Sequence, residues 1–376
     1  MKVYLDNAAT TPLAPEVFEE MKPWMTDHFG NPSSIHAYGR QTKAAVEKAR
    51  RTIASLLNAS PSEILFTSGG TEADNTAIRC SIKGMGIKHA ITSPIEHHAV
   101  LHTLEDLEKA GEVQLHFVEL DPKGNLEMDS LEKLLEKYPG SFVSLMHANN
   151  EVGNVNDIYT IGNLCKSYDA VFHTDTVQTI GHFKHDLSEL NANFIVGSAH
   201  KFHGPKGVGF LYTKSETKIA PFITGGAQER NQRGGTENVY GIIGMAKAME
   251  IAYKDLEIHE SHIRNLKNKM VSQLKEKVKD LEFNGDCLNE NSLYTVLNLS
   301  LRESPDNEML LFNLDINNIF ASGGSACSSG TSIGSHVLNH LQVNPARGHI
   351  RFSFSKYNTE EEIDYVVSKL SELANQ

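Results

Sequence analysis

A lysine and an aspartate each follow an apolar run that is typical of a buried β-strand. Lys201 comes after NFIVGSA and His200, and Asp175 ends the run AVFHTD about one crossover unit earlier in the chain. The carboxyl ends of neighbouring parallel strands meet at one edge of a sheet, so the two side chains can lie close together. A strand-end lysine can bind phosphate, join a structural ion pair or form a Schiff base, and all three interpretations stay open at this point.

The pairing of Lys201 with Asp175 is the one that pyridoxal 5′-phosphate needs. An aspartate keeps the pyridine nitrogen protonated, and the protonated ring accepts electrons from the substrate α-carbon. Gln178, three residues after Asp175, could donate to the phenolic oxygen of the ring. A capping aspartate and a surface glutamine remain the alternatives for each residue taken alone. Lys206, in the turn GPKG, competes for the Schiff base, and we favour Lys201 because it lies at the strand end.

The segment TSGGTEADN supplies donors for a phosphate group. Gly70 lets the backbone approach an anion, and Thr71 opens a helix whose free N–H groups face that anion. Ser198 and His200 are further phosphate donors by position. The string lacks G-x-x-x-x-G-K-[ST], so a nucleotide P-loop is not indicated. His97 follows ITSPIE at another strand end and could stack on the cofactor ring, although a lone histidine is more often structural.

The order of the elements predicts an α/β fold in two domains. From about residue 60 to 215, short apolar runs alternate with helical segments, which indicates a mostly parallel sheet covered by helices on both faces. A long helical pattern then leads to the strand-like runs YTVLNLSL, IFASGGSAC and HIRFSFS. We predict a large cofactor-binding domain over residues 15–257. Residues 1–14 and 258–376 are predicted to form a smaller α+β domain.

Composition excludes several classes of protein. The chain has 376 residues, of which 40% are hydrophobic and 22% charged, and a net charge of −12. That charge argues against binding to a nucleic-acid backbone. The start MKVYLDNAATTP has no apolar signal segment, and no apolar run is long enough to span a membrane. We expect a cytoplasmic protein that binds neither nucleic acid nor membrane.

The cysteines are four, without C-x-x-C spacing, which makes a disulfide framework or a structural zinc site improbable. Cys327 differs from the other three because SGGSACSSGTSIGS has almost no apolar residues around it. We expect an exposed, mobile thiol there, which is either reactive or a liability. Cys327 is also a candidate ligand of an iron–sulfur cluster.

Ten motifs in order carry a resemblance to a known family. They are YLDNAATTP, FGNPSSIHAYGR, FTSGGTEADN, EHHAV, MHANNEVG, HTDTVQ, GSAHKFHGPKGVG, QRGGTEN, SGGSACSSG and IRFSFS. The chain resembles cysteine desulfurases, within the class V aminotransferase family of fold-type I pyridoxal phosphate enzymes. SGGT replaces the more usual Ser-Gly-Ala-Thr, a small change that should leave phosphate binding intact.

The resemblance implies a role for each matching residue. Lys201 matches the Schiff-base lysine, Asp175 the partner of the pyridine nitrogen, Gln178 the group on the phenolic oxygen, and His97 the ring-stacking histidine and proton carrier. The phosphate site is matched by Gly70, Thr71, Ser198 and His200, and Thr236 matches the phosphate ligand that comes from a second subunit. Asn150 and Arg351 match the groups that hold the substrate carboxylate. Because Ile350, Phe352 and Phe354 face one way along their strand, we expect the Arg351 guanidinium to lie free on the other face.

The implied reaction is the removal of sulfur from L-cysteine, which leaves alanine and a persulfide on Cys327. The long stretch from Cys327 to Arg351 resembles the branch with an extended cysteine loop, whose members feed iron–sulfur cluster assembly and tRNA thiolation. The implied partners are a second copy of the chain and a sulfur-acceptor or scaffold protein. The alternatives are a selenocysteine lyase, another class V aminotransferase or lyase, and a non-catalytic persulfide carrier.

Overall fold

The computed structural model describes residues 1–323 and 334–375. Its strands are β1 (Val3–Tyr4), β2 (Ile64–Thr67), β3 (His89–Thr92), β4 (Gln114–Phe117), β5 (Phe142–Ser144), β6 (Val171–Asp175), β7 (Phe194–Ser198), β8 (Gly209–Thr213), β9 (Glu282–Phe283), β10 (Val296–Glu303), β11 (Ile319–Phe320) and β12 (Arg347–Ser353). Its helices are α1 (Pro15–Thr26), α2 (Ala37–Leu56), α3 (Gly70–Met85), α4 (His98–Lys109), α5 (Met128–Lys137), α6 (Ile158–Ser167), α7 (Val239–Lys254), α8 (Leu256–Lys277), α9 (Leu310–Ile316), α10 (His336–His340) and α11 (Glu360–Ala374).

The central sheet has seven strands in the order β2-β8-β7-β6-β5-β3-β4. Only β8 among them is antiparallel to its neighbours, which are β2 and β7. The other strands are therefore parallel in direction, and their carboxyl ends reach one edge. Strands β6 and β7 lie side by side, with Asp175 opposite Val196. The mostly parallel sheet expected from the sequence is confirmed.

Helices cover both faces of this sheet because successive strand residues point to opposite sides. On β7, Ile195 packs into one apolar cluster with residues of α1, α2, α6 and α7, whereas Phe194 and Val196 pack into another with residues of α3 and α4. All three side chains are fully buried. The continuous apolar runs of the sequence are therefore strands buried on two faces.

A smaller layered unit holds the rest of the described chain. It contains the antiparallel sheet β12-β10-β9 and the parallel pair β1–β11. One apolar cluster joins Val3 and Leu5 to residues of α8, α9, α11 and both sheets. The domain boundaries at residues 14/15 and 257/258 stay a prediction.

The long helical pattern after residue 236 is two helices, not one. Helices α7 and α8 meet at Asp255. The apolar residues of α7 pack against the central sheet, whereas those of α8 pack into the smaller unit. Because the chain is interrupted at Asp255, the apolar face of α7 is buried in one core and that of α8 in the other. No helix within the described ranges has the length and apolar character needed to cross a membrane.

Candidate active site

A cavity of about 240 Å³ opens at the carboxyl ends of β6 and β7, beside the first turn of α3. Most of the residues singled out in the sequence line it, namely Gly70, Thr71, His97, Asn150, Asp175, Gln178, Ser198, His200, Lys201 and Arg351. The fold thus brings together groups that are spread over almost 300 positions. Their roles are argued below from their contacts.

Lys201 lies in a short turn directly after β7 and reaches back to the N-terminal segment. Its Nζ donates hydrogen bonds to the carbonyl oxygens of Ala8 and Ala9, the latter at 3.0 Å. Gln178 uses the same segment, because its Nε2 donates to the Ala8 carbonyl at 3.1 Å. The sequence analysis missed Ala8 and Ala9, since backbone carbonyls leave no signature in residue type.

Asp175 ends β6 and is 7% exposed. Its Oδ1 accepts a hydrogen bond from the backbone N–H of Val177 at 2.8 Å. Burial raises the pKa of Asp175, while that N–H and the charge of Lys201 oppose the rise. A cation that binds in the cavity beside this carboxyl would favour the ionised form of Asp175. A protonated pyridine nitrogen would be such a cation.

The opposite end of the cavity suits an anion. Gly69, with φ of +151°, precedes α3, and the helix begins at Gly70. A β-carbon at Gly70 would lie 2.8 Å from Cγ2 of Val177, so even an alanine there would require the Val177 side chain to shift. Ser198 lies across from this turn, 3.7 Å from the position of that β-carbon. The free N–H groups of the first turn of a 16-residue helix attract phosphate.

Two histidines of the cavity are neutral near pH 7. His97 caps α4, and its Nδ1 accepts a hydrogen bond from the N–H of Ala99 at 3.1 Å. Burial and the charge of Lys201 lower the pKa of His97 to about 4. The same two causes, followed by the charge of Lys206, lower that of His200 to about 4. Because Nδ1 of His97 accepts, its proton lies on Nε2.

Arg351 departs from the expectation of a free guanidinium. The side chain is 1% exposed, and its Nη2 donates to Oδ1 of Asp6 at 2.8 Å. Its Nη1 donates to the backbone carbonyl of Asn150 at 3.0 Å. The expectation was wrong because strand alternation places a side chain on a face but says nothing of a partner 345 residues away.

Behind the cavity lies a cluster of buried acids that the sequence analysis missed. Asp74 lines the cavity and is 1% exposed, and its Oδ1 lies 3.3 Å from Nε2 of the fully buried His173. His173 Nδ1 pairs with the hydroxyl of Ser144 at 2.8 Å. Glu96, also fully buried, accepts a hydrogen bond from the N–H of Met146 at 2.8 Å.

Burial governs the protons of this cluster. It raises the pKa of Asp74 well above its usual value, helped by the negative charges of Asp175 and Glu96. It also raises the pKa of Glu96 and lowers that of His173 to about 3. Burial therefore favours the neutral forms of both Asp74 and His173 at this contact. A signal was present in the sequence, because Asp74 lies in TSGGTEADN and His173 two residues before Asp175.

One predicted residue, Thr236, does not line this cavity. Thr236 lines a separate cavity of about 220 Å³, in a loop that Arg233 ties to Glu72 of α3 at 2.9 and 3.1 Å. Cys327 lies outside the described residues. The rival lysine, Lys206, is exposed and does not line the main cavity.

Comparisons with known proteins identify the family of the chain. The aminotransferase class-V family matches residues 3–366, so the chain belongs to that family. A relative from Dictyoglomus turgidum named cysteine desulfurase IscS is 44% identical over 99% of this chain and 94% of its own. A Bacillus subtilis protein named putative cysteine desulfurase IscS 1 is 39% identical over 100% and 99% of the two chains.

Solved structures also resemble the chain over nearly its full length. A NifS-like protein superposes with a TM-score of 0.91 at 38% identity, covering 100% of both chains. A structure of SspA in complex with cysteine superposes with a TM-score of 0.82 at 31% identity, covering 96% of this chain and 100% of the other. The fold is that of fold-type I pyridoxal phosphate enzymes.

Proposed function

We propose that the protein is a cysteine desulfurase that uses pyridoxal 5′-phosphate. The observation that carries the proposal is the arrangement of Lys201 and Asp175, which face one cavity from adjacent strand ends, with the open first turn of α3 at its other end. The relatives named cysteine desulfurase, matched over their full length, support the choice of reaction within the family.

The residues of the cavity fit this cofactor. The first turn of α3, with Gly70 kept free of a side chain, and the donors Thr71, Ser198 and His200 would hold the phosphate. Asp175 would pair with the pyridine nitrogen, Lys201 would bind the aldehyde carbon, Gln178 would face the phenolic oxygen and His97 would stack on the ring. When bound, pyridoxal phosphate stabilises the negative charge that develops at the substrate α-carbon.

The remaining groups handle the substrate. Arg351, with its guanidinium preset by Asp6 and the Asn150 carbonyl, would pair with the carboxylate of L-cysteine. Lys201 lines the cavity and would be the base that takes a proton from the substrate. His97 carries its proton on Nε2 and can donate it to the departing product.

The sulfur would be received by Cys327. In the overall exchange, the thiol of Cys327 forms an S–S bond to the substrate sulfur, the Cβ–S bond of cysteine breaks, and the carbon gains a proton to give alanine. The other cysteines are poor candidates. Cys80, Cys165 and Cys287 are buried, and burial raises the pKa of Cys80 to about 11 and that of Cys165 to about 12.

Further parts of the proposal concern partners and location. Thr236 would complete the phosphate site of a second subunit, so the active form would be a homodimer. Its position outside the cavity of its own chain supports this role. The persulfide would pass to an acceptor protein for iron–sulfur cluster assembly or tRNA thiolation. The cytoplasmic location stays a prediction that cell fractionation would test.

The deciding experiment is incubation of the cofactor-loaded protein with L-cysteine while alanine and sulfide are measured, with and without reductant. We expect equimolar alanine and sulfide in the presence of reductant, and a persulfide on Cys327 by mass analysis in its absence. Cys327→Ala should load cofactor normally but give neither product, and Cys80→Ala is the matched control. A keto acid as product would indicate an aminotransferase, and a marked preference for selenocysteine would indicate a selenocysteine lyase. Sedimentation of an active, cofactor-saturated monomer would contradict the dimer.

A further inference from the structure

The guanidinium of Arg351 is held at two corners in the substrate-free protein. Nη2 donates to Asp6 Oδ1 at 2.8 Å and Nη1 donates to the Asn150 carbonyl at 3.0 Å. Its Nε is buried and has no hydrogen-bond partner among the described residues. A guanidinium has five N–H groups, so two are used and three are left for a ligand in the cavity that Arg351 lines.

Asp6 forms a hydrogen bond with only one N–H group of this guanidinium. Among the described residues, Oδ1 is the Asp6 oxygen that accepts, both from Arg351 and from the hydroxyl of Ser322 at 2.8 Å. A carboxylate that competed fully for an arginine would use both oxygens in a bidentate pair. The contact therefore orients the guanidinium and keeps most of its donors available.

The charge of Asp6 also compensates the buried charge of Arg351 before a substrate binds. A cation that is 1% exposed would be an uncompensated buried charge without a nearby anion. Asp6, with a side chain that is 20% exposed, supplies that anion 2.8 Å from Nη2 of Arg351. Glu151 is the other acid whose charge interacts with Arg351, and it is buried and bonded to Ser335.

The position of Asp6 in the chain links it to the reacting groups. Asp6 and Ser353 of β12 lie opposite each other in a β-bridge. Two residues later, the carbonyls of Ala8 and Ala9 accept hydrogen bonds from Lys201. One short segment thus places the carboxylate-binding guanidinium relative to the lysine, which matters because small misplacements cost large factors in rate.

We propose that Asp6 is a positioning residue that aims the Arg351 guanidinium at the α-carboxylate of the substrate, and so selects amino acids over amines. The proposal rests on the function proposed above, because it assumes an amino acid as substrate. It does not require that the amino acid be cysteine.

The test compares L-cysteine with cysteamine, which has the same amine and thiol but no carboxylate. The cofactor-loaded wild type, Asp6→Ala, Asp6→Asn and Ser322→Ala would be titrated with each compound while the cofactor absorbance is followed, and kcat and KM for L-cysteine would be measured. We expect Asp6→Ala to raise the dissociation constant and KM for L-cysteine by about 10- to 100-fold. In the same variant, the dissociation constant for cysteamine should change by less than about twofold, and kcat should fall by a smaller factor than KM rises. The KM of Asp6→Asn should lie between those of wild type and Asp6→Ala, because asparagine keeps a hydrogen-bond acceptor without the charge. Ser322→Ala, which removes the other bond to the same oxygen, should stay within about threefold of wild type.

Three results would overturn the proposal. Tighter binding of L-cysteine to Asp6→Ala would mean that Asp6 competes with the substrate. Equal losses for L-cysteine and cysteamine would mean that Asp6 only supports the fold. If Asp6→Ala does not fold, wild-type KM in a folded Asp6→Asn would equally contradict the role of its charge. If the wild type releases no alanine from cysteine, the proposed function fails, yet titration with L-alanine against ethylamine still measures the selection of a carboxylate.

Discussion

The replacement of Asp74 by asparagine tests the buried acid cluster through the pH dependence of stability. Asparagine has the shape of a protonated aspartic acid and can take the same position, 3.3 Å from Nε2 of His173. The pKa of Asp74 is raised in the fold by burial and by the charges of Asp175 and Glu96. In the unfolded chain an aspartic acid has a pKa of about 3.9.

The sign and size of the effect follow from proton counting. At a pH between these two pKa values the folded protein holds one proton at Asp74 that the unfolded chain has lost. The free energy of unfolding of the wild type therefore falls by about 1.4 kcal/mol for each unit of rising pH on account of this group. Its stabilisation is fully present below the unfolded pKa and is lost as the pH rises through the folded pKa. Asp74→Asn has no such loss, so we expect it to match wild type near pH 4 and then to gain on it by about that slope.

The assay is urea denaturation of the cofactor-free protein, followed by far-UV circular dichroism at half-unit steps from pH 4.5 to about 6.5. Glu19→Gln, which removes a carboxyl that is 66% exposed, is the matched control for net charge. Parallel stability curves for wild type and Asp74→Asn would refute the reasoning, because they would mean that Asp74 ionises in the fold as it does in the unfolded chain.

Two further predictions concern residues of the cavity, and a third concerns the buried ion pair between Arg50 and Glu229. Lys201→Ala should abolish the borohydride-reducible linkage of the cofactor, and a linkage retained through Lys206 would contradict the assignment. Asp175→Asn should still load some cofactor but lose about 10²-fold or more in kcat, since an amide cannot keep the pyridine nitrogen protonated; near-normal turnover would remove it from that role. Glu229→Gln should lower the free energy of unfolding by about 3–5 kcal/mol in a denaturant titration, because its bidentate partner Arg50 is 3% exposed and would be left with only the partly exposed Glu47 as an anionic partner. The control Glu47→Gln removes the 35% exposed partner of the same arginine and should cost about 0–1 kcal/mol, and equal losses for the two variants would show that burial does not govern this pair.

Features that depend on local pattern could be predicted from the amino-acid sequence alone. Apolar runs alternating with helical segments are sufficient for a mostly parallel sheet, because a strand buried on two faces has no polar side to show. The edge shared by Lys201 and Asp175 follows from the same pattern, since carboxyl ends of parallel strands meet there. The anion-binding turn at Gly70 follows from a glycine pair at the start of a helix. The ten ordered motifs added the family, which the comparisons confirm.

Contacts between distant segments could not be predicted in this way, because no spacing in the sequence encodes them. The pairing of Arg351 with Asp6 joins residues 345 positions apart, and the carbonyls of Ala8 and Ala9 meet Lys201 across more than 190. The state of Asp74 depends on burial by elements that pack only in the folded protein, because a carboxyl changes its pKa with its surroundings and not with its neighbours in sequence. The break between α7 and α8 at Asp255 likewise follows from two cores that lie apart in space, each of which buries one helix of a continuous apolar pattern.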